Sequence, residues 1–113
     1  MKTIEELKNA NLREALEAVK AEVRRIAGDG ARLIIYGSYA RGEEREDSDV
    51  NLMVILPDAL KTFEIEDNVR NVIYDAGFNL DMHFSVMVVS ETQARKHAGF
   101  MVFGGVEREG IAV

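Results

Sequence analysis

One stretch fixes what the rest of this chain must build around: Leu33-Ile34-Ile35-Tyr36-Gly37-Ser38-Tyr39-Ala40-Arg41-Gly42, followed after an acidic loop by Ser48-Asp49-Val50-Asn51-Leu52-Met53-Val54-Ile55-Leu56. An apolar, β-branched run stops at Gly-Ser, and a second run opens with two oxygen-bearing side chains two residues apart, so the pattern predicts a strand, a tight turn and a strand. Gly37 admits backbone conformations closed to other residues. Successive N–H groups can therefore converge on an anion there, and Ser38 adds a hydroxyl at the start of a helical turn, so the turn reads as a phosphate cradle. On the second strand, positions 49 and 51 share one face because side chains alternate with period two. Phosphate donors beside ligands for a hard cation are what nucleotide chemistry with Mg²⁺ requires.

At these residues the chain resembles a known family. Gly37-Ser38-Tyr39-Ala40-Arg41-Gly42, then Ser48-Asp49-Val50-Asn51-Leu52, is similar to the signature of the DNA polymerase β-like nucleotidyltransferases, and specifically of their smallest members, the minimal nucleotidyltransferases. The ending Glu107-Arg108-Glu109-Gly110-Ile111 resembles a terminal phrase of the same family, so the likeness covers nearly the whole chain. It implies the nucleotidyltransferase fold, an α/β (α+β) arrangement with a small mixed β-sheet of three or four strands flanked by helices, as one domain over residues 1–113. It implies Mg²⁺ or Mn²⁺ at Asp49 and position 51, and ATP or another nucleoside triphosphate held by Gly37 and Ser38. Arg41 keeps two readings, a phosphate-facing guanidinium or a residue fixing the loop by pairing with Asp47 or Asp49. Tyr39 packs beside the turn or faces a nucleotide base.

The chain departs from the family pattern where it carries a second metal-binding carboxylate. Asn51 stands there, with the shape of aspartate and none of its charge. Two Mg²⁺ ions about 3.5–4 Å apart need anionic ligands to offset their repulsion, and an amide offers one weak oxygen. Family members also bring a third carboxylate on a later strand. Aligned from Ser90, that place falls on Ser85, neither a base nor a strong ligand at neutral pH. Asp81 shares the predicted face but lies roughly 13 Å away along an extended strand, and His83 between them is the remaining candidate base. The third carboxylate is thus Asp81, replaced by His83, or absent.

The remaining segments supply the packing. Leu12, Leu16, Val19, Val23 and Ile26 recur at three- and four-residue intervals within a helical segment Thr3–Ala27. Thr3 with Glu6 suits a capping box, while Asn9 and Asn11 suggest a short helix before the longer one. Gly28-Asp29-Gly30 ends it. The charges of Glu43-Glu44-Arg45-Glu46-Asp47 read as a solvated loop. Pro57-Asp58 closes the second strand, and Leu60 to Ala76 predicts a helix with Phe63, Ile65, Val69, Val72 and Ile73 inward and Gly77 as its stop. A third strand is predicted over Asn79–Val89, and Ser90 to Gln93 reads as a helix cap and first turn, with helix to His97. Phe100 to Phe103 form an apolar run, used under the first helix or against another chain.

Composition narrows the partners. Hydrophobic residues make up 47%, and no apolar run approaches bilayer length, which argues against a membrane protein. Lys2 is followed by an amphipathic, acidic pattern instead of a secretion signal, so a cytoplasmic address is expected. There is no cysteine, which excludes thiolate metal sites. A net charge of −6 disfavours a nucleic-acid substrate and favours a basic protein partner. Two functions follow from the resemblance. One is transfer of a nucleoside monophosphate from the metal-bound triphosphate to an acceptor hydroxyl on a partner protein. The other is a non-catalytic, antitoxin-like module that holds a helical HEPN-type toxin. Homo-oligomerisation is compatible with either.

Overall fold

In the computed structural model, residues 2–97, 106 and 108–113 are described. Asn9 opens the first long helix, its Oδ1 accepting the Leu12 amide at 3.1 Å, and α1 then runs Ala10–Ala27 until Gly28 stops it with φ +78°. The predicted interruption at Asn9 is a real one. Thr3 makes no capping bond, because residues 2–3 form a short strand, β1 (Lys2–Thr3), leading into one 3₁₀ turn at Ile4–Glu6.

The chain then forms β2 (Arg32–Tyr36), a one-turn helix α2 (Ser38–Arg41) and β3 (Val50–Leu56). After a 3₁₀ turn at Asp58–Leu60, α3 spans Phe63–Asn79, and β4 (Phe84–Ser90), α4 (Glu91–Lys96) and β5 (Ile111–Ala112) follow. The expected helix start at Leu60 moves to Phe63 because Thr62 is the cap, its Oγ1 accepting from the Ile65 amide. Asp58 is drawn off to α4, where its carboxylate accepts the Thr92 amide at 3.0 Å. Phe63, expected inward, lies on the first turn of α3 and is exposed.

The sheet order is β1-β5-β2-β3-β4. β2 pairs antiparallel with β3 and β5, while β3–α3–β4 is a helical crossover joining two parallel strands, as parallel pairing requires. The sheet has five strands where three or four are expected, and the unplaced β1 and β5 are two-residue pieces, too short to show a period. Helices α1 and α3 pack against each other over one face. Beneath them Leu12, Leu16, Leu33, Ile35, Val50, Leu52, Val54, Ile73 and Val88 form the main core. A smaller cluster on the opposite face comprises Ile34, Met53, Ile55, Val89 and Val106.

Gly77 does not end α3. It lies buried inside the helix, and a Cβ there would come within 2.6 Å of the Met82 carbonyl and 2.8 Å of Phe84 Cδ2. That close approach lets α3 run to Asn79 and moves the start of β4 from residue 79 to 84. Ser90 forms the predicted cap as a full capping box with Gln93. The apolar run Phe100–Phe103 lies outside the described residues.

Candidate active site

The turn after β2 is built on glycine. Gly37 holds φ +83° and ψ −153°, in the half of backbone space that side chains disfavour, and the chain enters α2 directly. Gly42, at φ +71°, closes the same turn, its amide facing the carbonyls of Ser38 and Tyr39. Because the first-turn amides of a helix have no acceptor within it, those of residues 38–40 are left to point outward from the start of α2. Ala40 is buried and Tyr39 packs on the main core, so the turn is pinned from behind. The acidic loop returns through a second turn in which the Arg45 amide donates to Ser48 Oγ at 2.8 Å and the Ser48 amide to the Arg45 carbonyl at 3.0 Å. Ser48 thereby delivers Asp49 to the head of β3.

The two halves of the motif meet at Gly37 and Asn51. A Cβ at residue 37 would lie 2.4 Å from Asn51 Nδ2, so the amide of Asn51 is packed on the glycine backbone. Every residue of β3 is buried except Asn51, which is half-buried. Register extends the site across the sheet: Tyr36 is the partner of Asn51 in β2, and Ser85 its partner in β4. Cross-strand partners project to the same side, so Tyr36, Asn51 and Ser85 form a row on the face opposite α1 and α3. Asp49 is exposed, one residue ahead of β3, and alternation assigns it to the side of Asn51.

The alternatives to Ser85 are placed elsewhere. Asp81 is not on a strand: it occupies the turn after α3 with φ +54°, its amide bonded to the Phe78 carbonyl. His83 is exposed just before β4, and its carbonyl accepts the Val50 amide at 2.8 Å. Arg41 pairs with neither Asp47 nor Asp49. Its Nε meets Glu43 at 3.0 Å and its Nη1 meets Glu109 at 3.2 Å, and these hydrogen bonds hold the guanidinium above its ordinary pKa. Glu109 lies 68 residues away along the chain, and no local spacing announces it. Burial raises the Tyr36 phenol above its ordinary value, so this member of the row stays protonated at neutral pH.

Donor chemistry limits what cation the site can take. Asp49 contributes a carboxylate, Asn51 a neutral amide oxygen and Ser85 a hydroxyl, and no group of three His, Cys, Asp or Glu suited to a metal occurs among the described residues. Oxygen donors of this kind would suit a single hard divalent cation. They do not fit a closely spaced pair of ions.

A mixed sheet in which a Gly-Ser turn is laid against the start of the next strand has the architecture of a nucleotidyltransferase fold. A solved structure of a candidate minimal nucleotidyltransferase superposes with a TM-score of 0.62 at 29% identity, covering 98% of this chain and 96% of that one. A candidate nucleotidyltransferase of Sulfolobus solfataricus, at 19% identity and a TM-score of 0.50, shares the fold over 76% of this chain and 75% of its own. The sequence model of the nucleotidyltransferase domain spans residues 12–103, and the chain belongs to that family. It is 42% identical over 78 residues to a candidate protein adenylyltransferase of Methanocaldococcus jannaschii, covering 65% of this chain and 81% of the relative. A second such protein of that organism is 38% identical, over 73% of this chain and 78% of its own. The protein adenylyltransferase MntA of Thermococcus cleftensis is 34% identical, over 73% and 77%. Among the described residues, no helix is long and apolar enough to cross a membrane.

Proposed function

We propose that this chain binds a nucleoside triphosphate, ATP by similarity to the adenylyltransferases, and transfers its nucleoside monophosphate to a hydroxyl of a partner protein. The observation that supports the reading is the packing of Asn51 on Gly37, which brings the Gly-Ser turn and the head of β3 together. Gly37 and Ser38 hold the β- and γ-phosphates with backbone amides and a hydroxyl. Asp49 would hold one Mg²⁺ or Mn²⁺, with the Oδ1 of Asn51, packed on Gly37, as a weak second ligand. The bound ion supplies charge neutralisation to the phosphates. Arg41 reaches a phosphate by exchanging Glu43 or Glu109 for it.

In the reaction the acceptor oxygen bonds to the α-phosphorus as the bond to the bridging oxygen of pyrophosphate breaks, and the acceptor proton passes to water. With Ser85 where a base would stand, the chain's own contribution is positioning, and turnover is slow. The neutral row Tyr36–Asn51–Ser85 favours a second reading, in which the chain binds nucleotide and holds a partner, a HEPN-type helical toxin by family resemblance, without transferring anything.

Labelled ATP with Mg²⁺ or Mn²⁺ and a co-encoded helical protein, tested with wild type and Asn51→Asp, separates the readings. Label on the partner with the wild-type chain supports transfer. Label with the variant alone makes Asn51 the lesion and leaves the binding module. Failure of both proteins to bind ATP removes the proposal altogether.

A further inference from the structure

Among the described residues, the large apolar side chains left exposed are Phe63, Tyr74, Phe78 and Leu80, and all four belong to α3 or its exit. Tyr74 and Phe78 are one helical turn apart and share a face, and Phe78 is 87% exposed although α3 buries Val69 and Ile73 a short distance along the same helix. Beside them lies a groove of about 620 Å³, with Tyr74 and Phe78 contributed by the helix and Met82 and Phe84 by the returning chain. Asp81 and His83 also line it. The groove exists because Gly77 lets the helix rest directly on the Met82 carbonyl.

Two exposed acids border this apolar surface: Asp75, next to Tyr74 on α3, and Asp81, which lines the groove. The single cation of α3, Arg70, is spent on Glu66 and on the Val86 carbonyl, to which it donates at 2.8 Å. Nucleic acid and anionic membrane are repelled by such a face. A second copy of the chain would set acids against acids. An apolar groove with an acidic border matches a segment that carries both an aliphatic anchor and basic side chains.

We propose that the Tyr74–Phe78 groove is the docking surface for a cationic amphipathic segment of another protein, with an apolar side chain in the groove and Lys or Arg against Asp75 and Asp81. This rests on the reading above that the chain acts on or holds a protein. Phe84 is the β4 partner of Val50, which lies between Asp49 and Asn51, so a segment docked in the groove lies at the end of the sheet that carries the candidate site.

The test is a titration of the full, nitrogen-15-labelled chain, followed by NMR, with a helical peptide of Leu and Lys at three- and four-residue spacing and with its Glu-for-Lys counterpart. The Lys peptide should shift resonances over residues 74–84, bind more weakly as salt is added, and lose about tenfold in affinity against Phe78→Ser. Asp81→Asn, tolerated at a positive φ, should lose less. The Glu peptide should not bind. The proposal is overturned if Phe78→Ser binds as tightly as wild type with shifts spread through the acidic loop 43–47, or if both peptides bind alike. It is also overturned if sedimentation shows a dimer that Phe78→Ser abolishes. An ATP titration of the same variant keeps the two proposals apart: unchanged ATP binding with lost peptide binding isolates the groove, and absent ATP binding in wild type removes the nucleotide reading while the groove result stands.

Discussion

The two faces of this sheet are made from alternate residues of the same strands, yet they obey different rules. On the face under α1 and α3, Val50, Leu52 and Val54 are sealed from solvent, and the charges near it are paired, with Glu66 held by Lys61 at 2.7 Å and by Arg70 at 3.2 Å. On the other face the head of the sheet carries Tyr36, Asn51 and Ser85, and Asp49 beside them has no ion pair among the described residues. At the head of β3, position 51 is therefore available for chemistry, while farther along the same face Met53 and Ile55 are buried in the smaller core. Residue 52 can be lost only at the cost of the fold, whereas residue 51 can be changed with the fold intact.

The largest effect should come from breaking that separation on the covered side. Leu52 is fully buried in the main core, so Leu52→Ala should destabilise the chain by about 2–5 kcal/mol through lost transfer energy and a cavity. On the other face, the exposed Ser85 changed to Ala should cost no more than about 0.5 kcal/mol. Urea unfolding of both variants measures the contrast, and comparable losses would mean that the two faces at the head of the sheet do not differ as described.

A smaller loss is expected where the two halves of the site touch. Gly37→Ala combines a left-handed backbone with a methyl group 2.4 Å from Asn51 Nδ2, which should cost about 1–3 kcal/mol and displace the Asn51 amide. Gly28 provides the control, because its φ of +78° is similar but nothing lies within 4 Å of a Cβ there. Gly28→Ala should show the backbone cost alone. Adding Asn51→Ala to Gly37→Ala should recover the steric part, a coupling that a double-mutant cycle reads directly. Absence of coupling would show that the turn and β3 are not in contact in solution.

How much of this was legible in the sequence follows from the range of each interaction. The stripe of α1, the Asn9 interruption and the Ser90–Gln93 cap involve residues within a turn or two of one another, and their spacing displays them. Asn51 stood out because it breaks an otherwise apolar run. Period alone could not place the start of β4, because residues 80–83 alternate like a strand while serving as the turn that Gly77 permits. Nor could it pair Arg41 with Glu109, since that contact depends on β5 returning beside β2. The exposure of Phe63 was hidden for a related reason: an aromatic residue reads as core unless the packing partner it lacks can be seen.

The smallest effect lies with the paired charges of the covered side, and its sign is fixed by the direction of the shift. The Lys61 ammonium, and after it the Arg70 guanidinium, hold the Glu66 carboxyl below its ordinary value of 4.5. A carboxyl with a lower folded than unfolded pKa stabilises the fold in full above the unfolded value and ceases to do so as pH falls through the folded one. Wild type should therefore exceed Glu66→Gln in stability by about 0.3–1 kcal/mol at pH 7, the range of a partly exposed ion pair. The gap should begin to close near pH 4.5 and vanish below it. Asp58, lowered by the Thr92 hydroxyl and amide, changes in the same direction, so the comparison needs the difference between the two proteins and not the wild-type curve alone.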